Sequence, residues 1–182
     1  MLKKRFYILL FFCLLLGGNV NSSTVDKGDN NAPFENKRTE TDYLPIADPF
    51  VMLYNNKYYA YGTGGTVNEG FACFSSDDLK NWKRERQALS ADDSYGKWGF
   101  WAPEVYYIQS KKKFYMFYSV EEHICVATSD SPVGPFRQES KQPIWEEKSI
   151  DTSLFIDDDG TPYLYFVRFT DGNVIWVAQM TD

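Results

Sequence analysis

Short apolar and aromatic runs, broken by Gly, Pro, Asn, Asp and Ser, succeed one another through the chain from about residue 46 onward, while helical periodicity is weak. Runs of this kind bounded by turn residues read as β-strands, so the class expected is all-β. The first stretch predicts strands near 49–54, 57–62 and 70–75 and around 82–86. Asn55-Asn56 supplies a tight turn between the first two, and Asp158-Asp159-Gly160 looks like a two-residue hairpin turn at the corresponding place further on.

The pattern repeats. An acid-containing phrase occurs at Ala47-Asp48-Pro49, at Trp101-Ala102-Pro103-Glu104 and at Ile150-Asp151-Thr152-Ser153. Each leads to an aromatic-rich run, at Tyr58-Tyr59-Ala60-Tyr61, Phe114-Tyr115-Met116-Phe117-Tyr118 and Tyr163-Leu164-Tyr165-Phe166. Each then leads to a strand ending in aspartate, at Asp77, Asp130 and Asp182, 53 and then 52 residues apart. Four short strands per repeat suit a β-propeller blade, and propellers close with about four to eight of them. About three blades are visible in this chain, so the ring is expected to continue beyond Asp182.

Composition narrows the class further. The net charge of −6, with no Lys/Arg cluster among the aromatics, provides no basic footprint for nucleic acid. The aromatic share of 18% is high, and most of those rings are needed as filler between stacked sheets. At the N-terminus, Lys3-Lys4-Arg5 precedes an apolar run from Phe6 to Leu16 that is too short to span a bilayer. We expect a signal peptide over 1–22, a flexible polar leader over 23–40 and the propeller domain over 41–182, with the product secreted or periplasmic and no membrane insertion after cleavage. The two cysteines after the signal, Cys73 and Cys125, fall on opposite faces of equivalent strands in different repeats, so free buried thiols are expected rather than a bridge.

In a propeller the first strand of each blade lines the central channel, which would gather Asp48, Glu104 and Asp151 in one funnel. Crowded carboxylates raise at least one pKa, a property that acid–base chemistry uses; each acid could equally cap its own strand. Trp101 stands where an indole could stack on a flat ligand face or pack beneath the rim loop, and packing is expected for Trp98 and Trp82.

In order and spacing, Ala47-Asp48-Pro49-Phe50, Trp101-Ala102-Pro103-Glu104-Val105 and Ile150-Asp151-Thr152-Ser153-Leu154-Phe155 resemble glycoside hydrolase family 43, with similarity from about Asp42 to Asp182. Thr152 departs from the proline common there. The resemblance implies a five-bladed propeller that hydrolyses glycosidic bonds in arabinose- or xylose-containing plant polysaccharides, with inversion and without a cofactor. It implies Asp48 as general base, Asp151 as the residue that tunes the pKa of the general acid, and Trp101 and Glu104 as substrate-binding or supporting residues. The family's general acid is a glutamate of a later blade, which nothing in this chain matches, so the chain alone is expected to be inactive. The rival reading is a carbohydrate-binding or interaction propeller without catalysis.

Other chemistries fit poorly. Asp157-Asp158-Asp159-Gly160 would place Phe155 and Phe166 at ligand positions of a calcium loop, and Gly62-Thr63-Gly64-Gly65 lacks the ending of a phosphate loop. His123 is the only histidine, so neither a Ser-His-Asp triad nor a multi-histidine metal site can be built. No metal or protein partner is assigned.

Overall fold

The computed structural model describes residues 44–64 and 69–181; the expected signal segment and leader lie outside the described residues. Ten strands follow in chain order: β1 (Ile46–Tyr54), β2 (Lys57–Gly64), β3 (Gly70–Ser76), β4 (Lys83–Ser90), β5 (Trp101–Ile108), β6 (Lys113–Val120), β7 (His123–Ser129), β8 (Ser149–Ile156), β9 (Pro162–Arg168) and β10 (Val174–Gln179). They form three antiparallel sheets, ordered β1-β2-β3-β4, β5-β6-β7 and β8-β9-β10. The leading strand of each sheet stands at its edge, and these edges adjoin: β1 lies against β5 and β5 against β8. Among the described residues no helix is long and apolar enough to cross a membrane.

The aromatic runs explain how the sheets stack. Along β6, Phe114, Met116, Tyr118 and Val120 enter a core shared with Tyr61, Phe71 and Leu89 of the first sheet. On the other face, Phe117 packs with Leu164 and Phe166 of the third sheet, with Tyr115 alongside. A period of two therefore buries both faces of one strand, which is why its sequence is apolar almost without interruption. Tyr118 stacks on Phe100 at 6.3 Å and meets Phe71 edge-on at 5.5 Å. Such pairs add about 0.5–1.5 kcal/mol each beyond area burial.

Two expectations are corrected here. The second sheet has three strands, because Pro132 and Pro135 remove ladder donors from the segment that would supply a fourth. In its place Arg137 pairs with Thr128 through two 3.0 Å bonds, and the Phe136 N–H donates to Ala88 O at 2.7 Å in the neighbouring sheet. The third hairpin is not a two-residue turn: Ile156 pairs with Pro162, the Gly160 N–H returns to Asp157 O at 2.8 Å, and Asp157 N–H donates to Thr161 O at 2.9 Å. Asp158-Asp159-Gly160 is thus a three-residue loop, with Gly160 alone in the left-handed region at φ 86°.

Cys73 and Cys125 are free and buried as expected, yet opposite faces of equivalent strands point at each other across the joint between neighbouring sheets. Both cysteines accordingly enter the same core, between the first and second sheets. Burial pushes each thiol up to about 12, which keeps it protonated and unreactive at neutral pH.

Candidate active site

Each leading strand is interrupted by the same bulge. Strand register breaks between Ala47 and Phe50, between Trp101 and Glu104, and between Ile150 and Ser153. In each bulge the first unpaired residue turns into the left-handed region: Asp48 at φ 47°, Ala102 at φ 44° and Asp151 at φ 54°. Non-glycine residues adopt this conformation only where the surrounding structure holds them there. Pro49, Pro103 and Thr152 follow, and Thr152 is buried in the place proline fills in the other two.

This register places Ala102, rather than Glu104, as the counterpart of the two aspartates. Glu104 stands where the ladder resumes, in line with Phe50 and Ser153. The equivalence drawn from the acids in the sequence is therefore displaced by two residues, because the bulge inserts unpaired positions that a list of acids does not reveal.

The corners are held across the joints between sheets. Thr63 pairs with Ala47 on β2, and its hydroxyl donates to Asp48 Oδ2 at 2.7 Å. The Thr63 Oγ1 oxygen in turn accepts the Ala102 N–H of the next sheet at 3.0 Å. Ser119 takes the corresponding place opposite Trp101, and its hydroxyl accepts the Asp151 N–H of the third sheet at 3.0 Å. Sequence reasoning missed both hydroxyls. Aligning the ends of the second strands would have found them, although Thr63 and Ser119 are 56 positions apart rather than 53.

Asp48 and Asp151 are exposed on their leading strands and within electrostatic reach of each other, although a whole sheet separates them in the chain. Enclosure by surrounding protein lifts the Asp151 carboxyl above the ordinary carboxylate range, and the charge of Asp48 lifts it further. The arrangement thus favours the protonated form of Asp151, at a place where both carboxylates open to solvent.

Glu104 takes part in a different contact. The Tyr106 hydroxyl donates to Glu104 Oε2 and accepts the Leu154 N–H at 3.1 Å, tying the second sheet to the third. Burial, with Glu104 adding to it, pushes the Tyr106 phenol up to about 12. Tyr106 also packs against Phe50 at 5.3 Å, so this brace touches all three leading strands.

Trp101 is half-buried at the start of β5, and Trp98 meets it edge-on at 6.2 Å. Trp98 is 49% exposed, against the packing expected for it. The backbone explains the difference: Glu121 N–H donates to Trp98 O at 3.2 Å and Lys97 N–H to Glu121 Oε1 at 2.7 Å. Gly99 then turns at φ 68°, sending Phe100 fully into the core and leaving the Trp98 ring outside. Trp82 remains partly covered, with its indole N–H on Leu79 O at 3.1 Å. Among the described residues no group of three or more His, Cys, Asp and Glu is placed to hold a metal.

Known proteins share this architecture. The model of the glycosyl hydrolases family 43 matches residues 44–182. Among curated proteins the chain is 30% identical over 156 residues to an arabinoxylan arabinofuranohydrolase of Bacillus subtilis, covering 65% of this chain and 30% of that protein. It is 28% identical over 158 residues to a beta-xylosidase of Xylanibacter ruminicola, covering 75% and 48% respectively. Among solved structures, an endo-1,4-beta-xylanase from Bacteroides thetaiotaomicron superposes with a TM-score of 0.76 at 86% identity, over 80% of this chain and 50% of that one. An endo-arabinase from the same organism gives 0.69 at 27% identity, over 78% and 52%. The chain therefore spans about half the length, or less, of these relatives. Its three sheets correspond to part of the five-bladed propeller of that fold, and the chain belongs to glycoside hydrolase family 43.

Proposed function

We propose that the protein contributes to hydrolysis of glycosidic bonds in arabinose- or xylose-containing polysaccharides, with inversion, and that Asp48 is the general base and Asp151 the modulator of the acid. The observation that carries this reading is the repeated left-handed corner, which bears a carboxylate in the first and third sheets and only a methyl group in the second. Asp48 takes a proton from water while the water oxygen bonds to the anomeric carbon; the bond to the leaving sugar breaks, and its oxygen receives a proton from an acid. Inversion requires base and acid about 6.5–9.5 Å apart, leaving room for the water between them. Asp151 influences that acid through its own charge, which its raised pKa makes sensitive to pH.

Trp101 and Glu104 are assigned to substrate support: Trp101 as a stacking face at the rim, Glu104 as a carboxylate oriented by Tyr106. No residue of this chain is assigned as proton donor, so the 182-residue chain should bind oligosaccharides weakly and leave them intact. The basic and apolar run at 3–16 supports export by a signal over 1–22, followed by the leader at 23–40 and the propeller domain from 41.

The test is incubation of the purified chain with arabino- and xylo-oligosaccharides, following both NMR shifts at the Trp101 indole and product release. Millimolar-range shifts without products are expected. Product release would overturn the division of the acid–base pair, and release that survives Asp48→Asn would also overturn the assignment of the base.

A further inference from the structure

We propose that Thr63 and Ser119 are positioning residues, one hydroxyl at each joint, which place the two aspartates in a common frame. For Asp48 the inference rests on the reading of that residue as base; the hydrogen-bond geometry stands apart from it. At both joints the hydroxyl lies on the second strand opposite the residue that precedes the corner, Ala47 in one case and Trp101 in the other. At both it accepts the corner N–H of the following sheet, from Ala102 at 3.0 Å and from Asp151 at 3.0 Å. Those N–H groups lie inside bulges, where no ladder partner is available to them. The hydroxyl supplies that partner and fixes the left-handed corner against the neighbouring blade.

The two joints differ in what the hydroxyl proton does. A backbone N–H can only donate, so Thr63 Oγ1 is the acceptor toward Ala102 and its own proton is free to reach Asp48 Oδ2 at 2.7 Å. That bond fixes the rotation of the Asp48 carboxylate about its side chain. Ser119 holds Asp151 by the backbone alone, leaving its carboxylate to be governed by enclosure and by Asp48. Thr63 is also β-branched and stiff at χ1, which suits a residue that must aim one oxygen at two partners; Ser119 has one partner to satisfy at this joint. The third position in the series is Val167, opposite Ile150, which has no hydroxyl. Among the described residues the clasp therefore occurs at the two joints that frame the aspartates.

The experiment compares the full chain with Thr63→Val, Thr63→Ser and Ser119→Ala, reading amide hydrogen exchange and carboxyl carbon resonances by NMR. Thr63→Val should speed exchange of the Ala102 N–H about tenfold relative to its neighbours and displace the Asp48 carboxyl resonance at neutral pH. Thr63→Ser should restore both in large part. Ser119→Ala should speed the Asp151 N–H by a similar factor while leaving the Asp48 carboxyl resonance where it was. The proposal is overturned if Thr63→Val leaves the Asp48 resonance unmoved and Ala102 exchange within about twofold, or if Ser119→Ala moves Asp48 as far as Thr63→Val does. Should Thr63→Val fail to fold, the serine and alanine variants still decide it, since the first must retain both signals and the second must separate them. None of these readings needs catalysis, so failure of the clasp and failure of the proposed base are distinguishable.

Discussion

The corner of the second sheet and the corners of the first and third share one backbone and differ in one side chain. Ala102, Asp48 and Asp151 all sit at φ between 44° and 54° inside equivalent bulges. Alanine shows that the bend needs no carboxylate: the following imino acid or threonine, the broken ladder and the hydroxyl of the preceding sheet suffice to hold it. The acids in the other two corners are then free for chemistry, although Asp enters the left-handed region more readily than Ala and gains a little from that alone.

Ala102→Pro forbids positive φ and removes the N–H that Thr63 accepts, so it should cost about 3 kcal/mol or more in urea unfolding. A small effect would mean that the bulge is not a structural requirement.

A smaller, pH-dependent effect is expected at Asp151. A carboxyl whose folded pKa is raised binds its proton more tightly in the native state than in the unfolded chain. Its contribution therefore favours folding at acid pH, below the unfolded value, and is lost as pH rises through the folded value. Asp151→Asn should accordingly stabilise the protein at neutral pH relative to the parent, with the gain shrinking as the pH falls toward the unfolded carboxylate range. Thermal melts across that interval check it, and a gain independent of pH would sink the assignment to this carboxyl.

Much of the fold is legible in the sequence because the strands announce themselves by aromatic runs and by one good turn. Asn55 and Asn56, at φ 49° and 60°, occupy left-handed positions that asparagine tolerates. A two-residue turn also joins β6 to β7, but there it is Glu121-Glu122 at φ 50° and 60°, which no propensity would select. It is imposed from outside: Trp98 O and Lys97 N–H hold Glu121, while Ser149 N–H and Lys148 hold Glu122, the latter at 2.6 Å. Glutamate's charge and length serve those contacts at the expense of the turn.

The site was legible only in part, for a related reason. Asp48 and Asp151 carry chemistry on their side chains and could be singled out, whereas Ala102 carries none and was passed over in favour of Glu104. Thr63 and Ser119 were lost among ordinary hydroxyls at strand ends, because their role lies in a contact between sheets rather than within a phrase. Trp98 was expected inside by its hydrophobicity and is kept outside by the backbone bonds of its loop.

Carboxylates from the first and third sheets, Asp48 and Asp151, lie close enough to interact. The most direct measurement is the titration of Asp151 by carboxyl carbon NMR, in the parent and in Asp48→Asn. Enclosure is the larger cause of the raised pKa and Asp48 the smaller. The parent midpoint should therefore lie above the ordinary carboxylate range and move downward in the variant while staying raised. An Asp151 midpoint unchanged by the loss of the Asp48 charge would contradict that interaction.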